Sequence, residues 1–520
     1  MDEIRRHSGC CGCRVHGVNR REFLASAGGL AAGIALFSSA ADARVKMPGV
    51  PIETSSVAVS KKPLLVQPVI TYQIYERREA VSWRPWGGLH SANDVDNEIK
   101  RIEGELRALA ARAGFPIEFR PVGRVTSQEQ AESFRRGDAD VMLVYAASGG
   151  NIEALITPDR YNLIYVRHKS GPVYLWYEIA HPWLLRKAVD EYGQPGLEPY
   201  DVIVDEYDDL LWRLRALFAL KNTLGTRMVA VGGPSGWGHG GRTAPKIASD
   251  VWKMDIQTVP YDELGKRIAS AKQDASRIRR AQEETSAYLK ISGTRLETDR
   301  GFVERAFLLK HIFDDLMMEA GANAITINDC MTTIIPMSET TACLALSLIN
   351  DEGRLAFCES DFVVIPSGVL LHHIAGTPVF LQDPTYPHHG IVTLAHCTAP
   401  RKMDGKRLEK TRLLTHFESD YGAAPKVDMR IGQVVTVVDP DFANQRWIGF
   451  RGKILENPFL DICRTQVDVA IEGDCTRLAA DMRGFHWMLV YGDYLKETGY
   501  ALRKLGIGWY NLTADRTVEA

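Results

Sequence analysis

The chain has 520 residues, with 62 Lys and Arg against 65 Asp and Glu, so its formal net charge is −3. Hydrophobic residues make up 45% and charged residues 24%, as in ordinary globular domains, which excludes wholesale disorder, a collagen-like fibre and a multi-span membrane protein. The length allows about two to four domains. The absence of a basic surplus argues against nucleic acid as the main partner.

The first 43 residues have the features of an export signal. Arg20 and Arg21 begin an Arg-Arg-x-Phe-Leu pattern, an apolar stretch covers 23–37, and Ala-Asp-Ala at 41–43 fits signal-peptidase cleavage. The apolar stretch is too short for a comfortable membrane helix. We therefore expect export to the periplasm by the twin-arginine route, with no stable membrane span afterwards. The alternative is an uncleaved amphipathic helix on a cytoplasmic protein.

A first alternation of strands and helices follows a Pro- and Ser-containing linker at 44–63. Strand-like segments lie at 66–75, 117–119, 140–145, 162–166 and 173–177, and helical patterns lie at 94–113 and 128–136. In the longer helix, apolar residues recur at steps of three and four, and Ser91 or Asn93 can cap it. The alternation predicts a parallel sheet with helices on its faces, in a first α/β domain at 64–225.

A second alternation predicts another α/β domain at 226–355. Its strands are expected at 227–231, 256–259 and 324–327, and its helices at 245–253, 261–289 and 303–320. From residue 356 onwards, strand-like runs at 379–381, 391–395, 432–438 and 466–471 are joined by turn residues. This change predicts a β-rich third domain at 356–520.

A glycine-rich segment at 232–241 lies between a strand and a helix, where phosphates are often held. It has neither the dinucleotide-binding spacing nor the Lys and Ser/Thr of a P-loop, and Pro234 and Trp237 interrupt it. We therefore predict a mobile loop at the carboxyl edge of the sheet, near a substrate.

The six cysteines of the C-terminal half are scattered singly: Cys330, Cys343, Cys358, Cys397, Cys463 and Cys475. A zinc ribbon needs two closely spaced pairs, which these positions do not supply. We predict that they are small core residues. Three further cysteines, at 10, 11 and 13, leave with the export signal.

Carboxylates interrupt two apolar runs near residue 360. Glu359 and Asp361 follow one run, and Asp383 ends another. Buried carboxylates are costly unless they are paired or bind metal, and with a histidine they would suit a hard divalent cation such as Mn²⁺ or Mg²⁺. An extended backbone would place Glu359 and Asp361 on one face, with Asp361 orienting a ligand or water. The alternative is structural, with Glu359 or Asp361 capping a helix and Asp383 beginning a turn at Pro384.

The order and spacing of six motifs resemble the L-fucose/L-arabinose isomerase superfamily, in its fucose-isomerase-like branch. The motifs are Ala-Phe-Cys-Glu-Ser-Asp at 356–361, Gly-Thr-Pro-Val-Phe-Leu-Gln-Asp at 376–383, His-Cys-Thr-Ala-Pro at 396–400, His-Phe-Glu-Ser at 416–419, Cys-Arg-Thr-Gln at 463–466 and Gly-Phe-His-Trp-Met-Leu-Val-Tyr-Gly-Asp at 484–493. The resemblance covers essentially the whole mature chain. It implies two successive Rossmann-like α/β domains followed by a β-barrel domain.

The resemblance also implies a metal-dependent function. It implies a divalent ion, usually Mn²⁺, on a glutamate, an aspartate and a histidine that correspond to Glu359, Asp383 and His486. The implied reaction is aldose–ketose isomerisation of a sugar, in which Glu359 and Asp383 pass the proton of an enediol. A homo-oligomer, either a trimer or a hexamer, is implied as well, with a neighbouring subunit completing the pocket.

Four further residues are candidates for binding the sugar. His396, His416 and Arg464 each lie beside a strand-like run, and would bind hydroxyl groups or make ordinary hydrogen bonds between loops. Trp86 belongs to an aromatic and basic loop at 83–88, which would stack on a sugar or form a structural turn. Two other functions stay open: a non-catalytic periplasmic sugar-binding or sensing protein on the same scaffold, and a metal-dependent hydrolase or epimerase.

Overall fold

The computed structural model describes residues 61–84, 87–185, 194–514 and 516–518, which all belong to one compact unit at 55–520. The predicted export signal lies outside the described residues, and so does the predicted linker up to residue 60.

The first region is built on a parallel sheet. Its elements are β1 (Leu64–Thr71), α1 (Ala92–Arg112), β2 (Ile117–Phe119), β3 (Gly123–Val125), α2 (Gln128–Arg135), β4 (Val141–Ala146), α3 (Ile152–Leu155), β5 (Tyr161–Val166), α4 (Trp176–Ala180) with a π-helical turn (His181–Leu185), a 3-10 turn (Pro199–Asp201), β6 (Val202–Val204) and α5 (Tyr207–Thr223). The strand order is β2-β1-β4-β5-β6, with β3 also beside β1, and every pairing is parallel. The α/β prediction for this region is confirmed.

Helix α1 forms where the apolar stripe predicts it. Ser91 caps it, since its hydroxyl accepts the N–H of Asp94 at 3.2 Å. The stripe from Val95 to Leu109 is buried against the sheet. The strand predicted at 173–177 is wrong, because Trp176–Ala180 is helical. Side-chain hydrogen bonds hold that segment instead of a strand ladder: Tyr174 Oη donates to Glu98 Oε1 at 2.6 Å, and Trp176 Nε1 donates to the Gly149 carbonyl at 2.9 Å.

The second region contains another parallel sheet. Its elements are β7 (Arg227–Val231), a 3-10 turn (Gly240–Thr243), α6 (Ala244–Asp250), β8 (Asp255–Val259), α7 (Tyr261–Ala271), α8 (Ala275–Leu289), β9 (Thr294–Leu296), α9 (Arg300–Ala320), β10 (Ala324–Ile327), a π-helical turn (Cys330–Ile334), α10 (Ile335–Ser338), α11 (Cys343–Asp351) and β11 (Leu355–Phe357). The order is β11-β10-β7-β8. This sheet extends past the boundary predicted at 355/356, because β11 is its edge strand.

The single helix predicted at 261–289 is two helices. Asp274 separates them, because its carboxylate accepts the N–H groups of Ser276 and Arg277 and so caps α8. The break lies among polar residues and is flanked by helical segments on both sides, so the sequence pattern alone does not reveal it.

The third region is dominated by antiparallel strands. Its elements are α12 (Ile365–Ala375), β12 (Phe380–Pro384), β13 (Ile391–His396), β14 (Lys410–Leu414), β15 (Ala424–Asp428), β16 (Val434–Asp439), β17 (Arg446–Glu456), β18 (Thr465–Glu472), α13 (Cys475–Asp481), β19 (Trp487–Tyr491), α14 (Leu495–Lys504), β20 (Gly508–Asn511) and β21 (Arg516–Val518). Six strands close a barrel in the order β16-β19-β12-β13-β18-β17, because β16 also pairs with β17. The expected β-rich, barrel-like region is confirmed. Strands β14 and β15 form a separate sheet with β9.

Helices join the three regions into one body. Helix α5 of the first region packs against α12 and α14 of the third. Among the described helices, none is by itself long and apolar enough to cross a membrane. The consecutive segments Cys330–Ser338 and Cys343–Asp351 meet that criterion only when taken together, and they are bent by 89° relative to each other.

Candidate metal centre

The site forms where the second sheet meets the barrel. Strands β7, β10 and β11 are parallel, so their carboxyl ends meet at one edge, the usual place for ligands in such sheets. The glycine-rich segment follows β7, Asn328 and Asp329 follow β10, and Glu359 comes shortly after β11. Asp383 in β12 and His396 in β13 face this edge across a cavity of about 600 Å³.

The three predicted ligands, Glu359, Asp383 and His486, lie close together, with both carboxylates beside the imidazole of His486. His486 is 0% exposed. Its Nε2 lies 3.2 Å from Asp383 Oδ1 and 3.5 Å from Glu359 Oε2. His396 joins the group, with its Nε2 at 3.5 Å from Glu359 Oε1. His396 therefore lies among the ligand candidates, not only among sugar-binding candidates.

The backbone at 359–361 is not extended, so the predicted common face for Glu359 and Asp361 is wrong. Glu359 and Ser360 have φ values of 63° and 46°, in the left-handed region. This bend lets Ser360 accept the N–H of Ser235 from the glycine-rich segment. As a result, Glu359 faces Nε2 of His486 while Asp361 Oδ2 binds Nδ1 of the same ring at 2.7 Å. The expected orienting role for Asp361 agrees with this contact.

Of the structural alternatives, capping fits the contacts of Asp361. Helix α12 begins after Val364, and Val364 itself supplies no side-chain cap, but Asp361 Oδ1 accepts the N–H of Val363 at 3.0 Å and its carbonyl accepts the N–H of Ile365 in the turn that leads into the helix. Asp383 lies within strand β12, where it pairs with Ala395, so it does not begin a turn.

Three buried polar atoms converge here without a hydrogen-bond partner among the described residues: Asp383 Oδ1, His396 Nε2 and His486 Nε2. The candidate ligand atoms of these residues lie within 4.8 Å of one another. An unsatisfied buried polar group costs about 1–3 kcal/mol, and a bound cation would satisfy all three atoms at once. Imidazole and carboxylate donors suit a divalent ion such as Mn²⁺, Fe²⁺ or Zn²⁺. The residues present thus fit a metal ion.

Electrostatics within the group favour charged histidines facing carboxylates. Burial alone would lower the pKa of His486, but its hydrogen bond to Asp361 and the nearby Asp383 and Glu359 raise it. Burial alone would raise the pKa of Glu359, but His396 and His486 lower it to about 2. Burial raises the pKa of Asp383. The anionic neighbours that raise the pKa of His486 also create a negative electrostatic potential, which attracts cations.

The glycine-rich segment closes one side of the site, at the carboxyl edge where it was predicted. Trp237 Nε1 donates to Glu359 Oε2, and its backbone N–H donates to Asp361 Oδ1 at 3.3 Å. The Trp237 ring stacks on Phe485 at 4.2 Å between ring centroids. In the sequence Trp237 is only an interruption of a glycine motif, and its contact with Glu359 depends on the fold.

The remaining candidates differ in position. His416 lines the cavity, and burial, together with the charges of His396 and Arg464, lowers its pKa to about 4. The Arg464 guanidinium donates to the carbonyl of Thr415 at 2.6 Å and to its hydroxyl at 3.2 Å. The described lining of the cavity does not include Arg464, so its contacts match the alternative of hydrogen bonding between loops. Trp86 lies outside the described residues.

Five cysteines predicted to be scattered core residues line the same cavity: Cys330, Cys343, Cys358, Cys397 and Cys463. Three of them are buried, as expected of core residues, but their convergence is a feature of the site. Glu418 and Phe485 also line it. No local pattern in the sequence brings these residues together, because they come from separate strands and loops.

Comparison with protein-family models finds no match for this chain, and comparison with curated proteins finds none either. The resemblance to the L-fucose/L-arabinose isomerase superfamily rests on the six sequence motifs alone and stays a prediction.

Proposed function

We propose that the protein is a metal-dependent aldose–ketose isomerase with its centre at Glu359, Asp383 and His486. The observation that carries this proposal is the convergence of Asp383 Oδ1, His396 Nε2 and His486 Nε2, all buried and without a hydrogen-bond partner within the described structure. Asp383 and His396 line a cavity of about 600 Å³. A volume of several hundred Å³ suits a small polar molecule such as a sugar.

A bound divalent ion would supply Lewis-acid polarisation of a carbonyl and its neighbouring hydroxyl group. The chain supplies the proton transfer. Glu359 approaches His486 Nε2 from the turn after β11, at 3.5 Å, and Asp383 approaches it from β12, at 3.2 Å, so two carboxylates face the same small volume. One carboxylate would take a proton from one carbon while the other serves the adjacent oxygen, as isomerisation requires.

Neighbouring residues orient these groups. Trp237 Nε1 and His396 Nε2 approach different oxygens of Glu359, which fixes the plane of its carboxylate. Asp361 holds Nδ1 of His486, so that Nε2 faces Asp383 and Glu359. The stacked rings of Trp237 and Phe485 cover the group from one side.

Elemental analysis of protein purified without chelator tests the site. We expect about one divalent ion per chain in the wild type, and little in a Glu359→Ala/His486→Ala double variant. Glu418→Gln is the matched control, since Glu418 lines the cavity but belongs to neither group of candidate ligands. Full occupancy in the double variant would show that the ion binds elsewhere.

Incubation with aldoses in deuterated water tests the activity. The metal-loaded protein should form a ketose from at least one aldose and introduce deuterium at C1 or C2. A metal-loaded protein that exchanges no proton with any aldose of the panel contradicts the proposed reaction, and tight sugar binding without exchange would instead support a binding protein.

We also propose that the folded protein is exported and forms a homo-oligomer, either a trimer or a hexamer. Large apolar side chains are exposed on segments of the first region, which supports an interface there: Ile74, Val81, Val173, Tyr177 and Trp183.

A further inference from the structure

The cysteines of the cavity do not all have the same surroundings. Cys343 and Cys397 pack with Cys463 in a small apolar cluster. Cys397 Sγ also accepts the N–H of Arg464 at 3.5 Å. Cys358 comes directly after β11, next to Glu359; it packs at the edge of the apolar core of the second region and also lines the cavity.

The sulfur of Cys358 completes a second group of candidate ligands. Its Sγ, a carboxylate oxygen of Glu359 and an imidazole nitrogen of His396 lie within 4.8 Å of one another. His396 is 3% exposed, and its Nε2 has no hydrogen-bond partner in the described structure. Its other nitrogen, Nδ1, contacts Thr398 Oγ1 at 3.2 Å. The free nitrogen is therefore available on the side where Cys358 and Glu359 lie.

The two groups of ligands differ in chemical softness. Asp383, His396 and His486 offer oxygen and nitrogen, which suit Mn²⁺. The group with Cys358 offers sulfur, nitrogen and oxygen, a set that Zn²⁺ and other thiophilic ions bind, with a fourth position open to water. His396 belongs to both groups, and Glu359 is also a ligand of the proposed centre with Asp383 and His486, so the two ions cannot both have their full ligand sets at once.

We propose that Cys358, Glu359 and His396 form a second metal site, which binds a thiophilic divalent cation such as Zn²⁺ or Cd²⁺ in competition with the ion at Glu359, Asp383 and His486. On binding, the Cys358 S–H bond breaks, a sulfur–metal bond forms, and the proton passes to solvent. Occupation of this site withdraws Glu359 from proton transfer, so Zn²⁺ or Cd²⁺ inhibits turnover. Only this inhibition rests on the proposed isomerase function, whereas the binding does not.

Titration of the chelator-treated full chain with Cd²⁺ tests the binding. The ultraviolet thiolate-to-metal charge-transfer band should appear in the wild type. Cys358→Ser should lose most of this band and bind Cd²⁺ at least about 10-fold more weakly, since even residues that only support a ligand contribute about 10–100-fold. Cys330→Ser and Cys463→Ser are matched controls, because both thiols line the same cavity, and they should keep the band.

A second measurement guards against misfolding of a variant. X-ray absorption of the wild type loaded with Zn²⁺ should show one sulfur neighbour at about 2.3 Å. A zinc shell without sulfur, or a band of unchanged strength in Cys358→Ser, overturns the proposal. Loss of the band in Cys463→Ser but not in Cys358→Ser overturns it as well, because the ion would then lie in the apolar thiol cluster.

Asp383→Asn separates this proposal from the proposed function. This variant should lose Mn²⁺ binding and turnover but keep the Cd²⁺ band, since Asp383 is not a ligand of the second site. A band that disappears in Asp383→Asn would show a single site and overturn the second one. An inactive wild type that keeps the band would contradict only the isomerase.

Discussion

Asp361 is a buried carboxylate that acts on the site through another residue. It is 0% exposed, and Oδ2 binds His486 Nδ1 at 2.7 Å. Its Oδ1 accepts the backbone N–H groups of Val363 at 3.0 Å and Trp237 at 3.3 Å. These contacts determine which nitrogen of His486 faces Asp383 and Glu359, and they tie the glycine-rich segment to the segment after β11.

We predict that removing the charge of Asp361 weakens metal binding more than it harms the chemical step. Asp361→Asn should lower Mn²⁺ affinity by about 10–100-fold and leave measurable turnover at saturating metal. Glu359→Gln and Asp383→Asn should lose turnover almost completely, since general acid–base groups contribute about 10²–10⁴-fold. Calorimetric titration with Mn²⁺, together with kcat at saturating metal, separates the two effects. An Asp361→Asn protein that keeps its metal but is inactive, beside an active Glu359→Gln, would require the two roles to be exchanged.

Asp351, at the end of α11, links stability to pH. Its Oδ1 accepts the N–H of Lys402 at 2.7 Å, while Oδ2 is buried and has no hydrogen-bond partner in the described structure. Burial raises the pKa of Asp351 from 3.8 to about 7. Because the folded-state pKa is raised, the group contributes stability that is fully present below its unfolded-state pKa and is lost as pH rises through about 7.

We therefore predict that the thermal midpoint of the wild type falls between pH 5 and pH 8, and that it falls less in Asp351→Asn. The amide keeps an acceptor for Lys402 but cannot ionise. The part of the pH-dependent change in the free energy of unfolding that is due to Asp351 should be on the order of 1–3 kcal/mol. Calorimetric scans at both pH values give the comparison, and an equal fall in the two proteins would show that Asp351 does not titrate in this range.

The segment before β19 is held by the end of β16. Asp439 accepts the backbone N–H groups of Arg483 and Gly484, both at 2.7 Å. A Cβ atom on Gly484 would lie 2.8 Å from the carbonyl oxygen of Pro440, so only glycine allows this close approach. His486 follows two residues later, and its position therefore depends on a contact between two barrel strands.

We predict that Asp439→Ala destabilises the protein and weakens metal binding together. Two partly buried N–H groups would lose their acceptor, at a cost of about 1 kcal/mol each, and Mn²⁺ affinity should fall by about 10-fold or more because His486 is less well placed. Asp474→Ala is the control. Asp474 also accepts two backbone N–H groups, at the start of α13, but its segment carries no ligand. It should lower the thermal midpoint and leave Mn²⁺ affinity unchanged. Equal loss of affinity in both variants would mean that general destabilisation explains the effect.

Elements whose signal lies within one short stretch of sequence could be predicted. Helix α1 follows from apolar periodicity and strand β7 from a short apolar run, and neither signal requires knowledge of the rest of the fold. The segment 173–177 was predicted incorrectly because contacts of Tyr174 and Trp176 with distant elements determine its conformation. The bend at Glu359 has the same origin, since the backbone there pairs with the glycine-rich segment.

The same distinction applies to the site. Glu359, Asp383 and His486 could be named because three motifs in one order carry them, and the structure places their side chains together. Trp237 and Cys358 could not be named as parts of the site. Trp237 contacts Glu359 only because the segments after β7 and β11 meet at one edge of the second sheet. Cys358 comes close to His396 only where that sheet meets the barrel.

The first and third regions are joined by a buried ionic contact far from the cavity. Asp201, just before β6, is 0% exposed. It accepts hydrogen bonds from Tyr500 Oη at 2.6 Å and from Lys504 Nζ at 2.6 and 2.8 Å, both on α14. Helix α14 also packs on α5. Parts of the chain that are distant in sequence therefore share one core, and they should unfold together.

We predict that Asp201→Ala destabilises the whole molecule by about 3–5 kcal/mol, because it leaves the Lys504 ammonium and the Tyr500 hydroxyl without their buried acceptor. Asp96→Ala is the matched control, since Asp96 pairs with Arg124 where both side chains are about half exposed, and such pairs contribute about 0–1 kcal/mol. Thermal unfolding followed by circular dichroism should show a large fall in the midpoint for the first variant and almost none for the second. Asp201→Ala/Lys504→Met should recover part of the loss, because the unpaired charge is removed. Similar midpoints for Asp201→Ala and Asp96→Ala would mean that the contact does not join the two regions energetically.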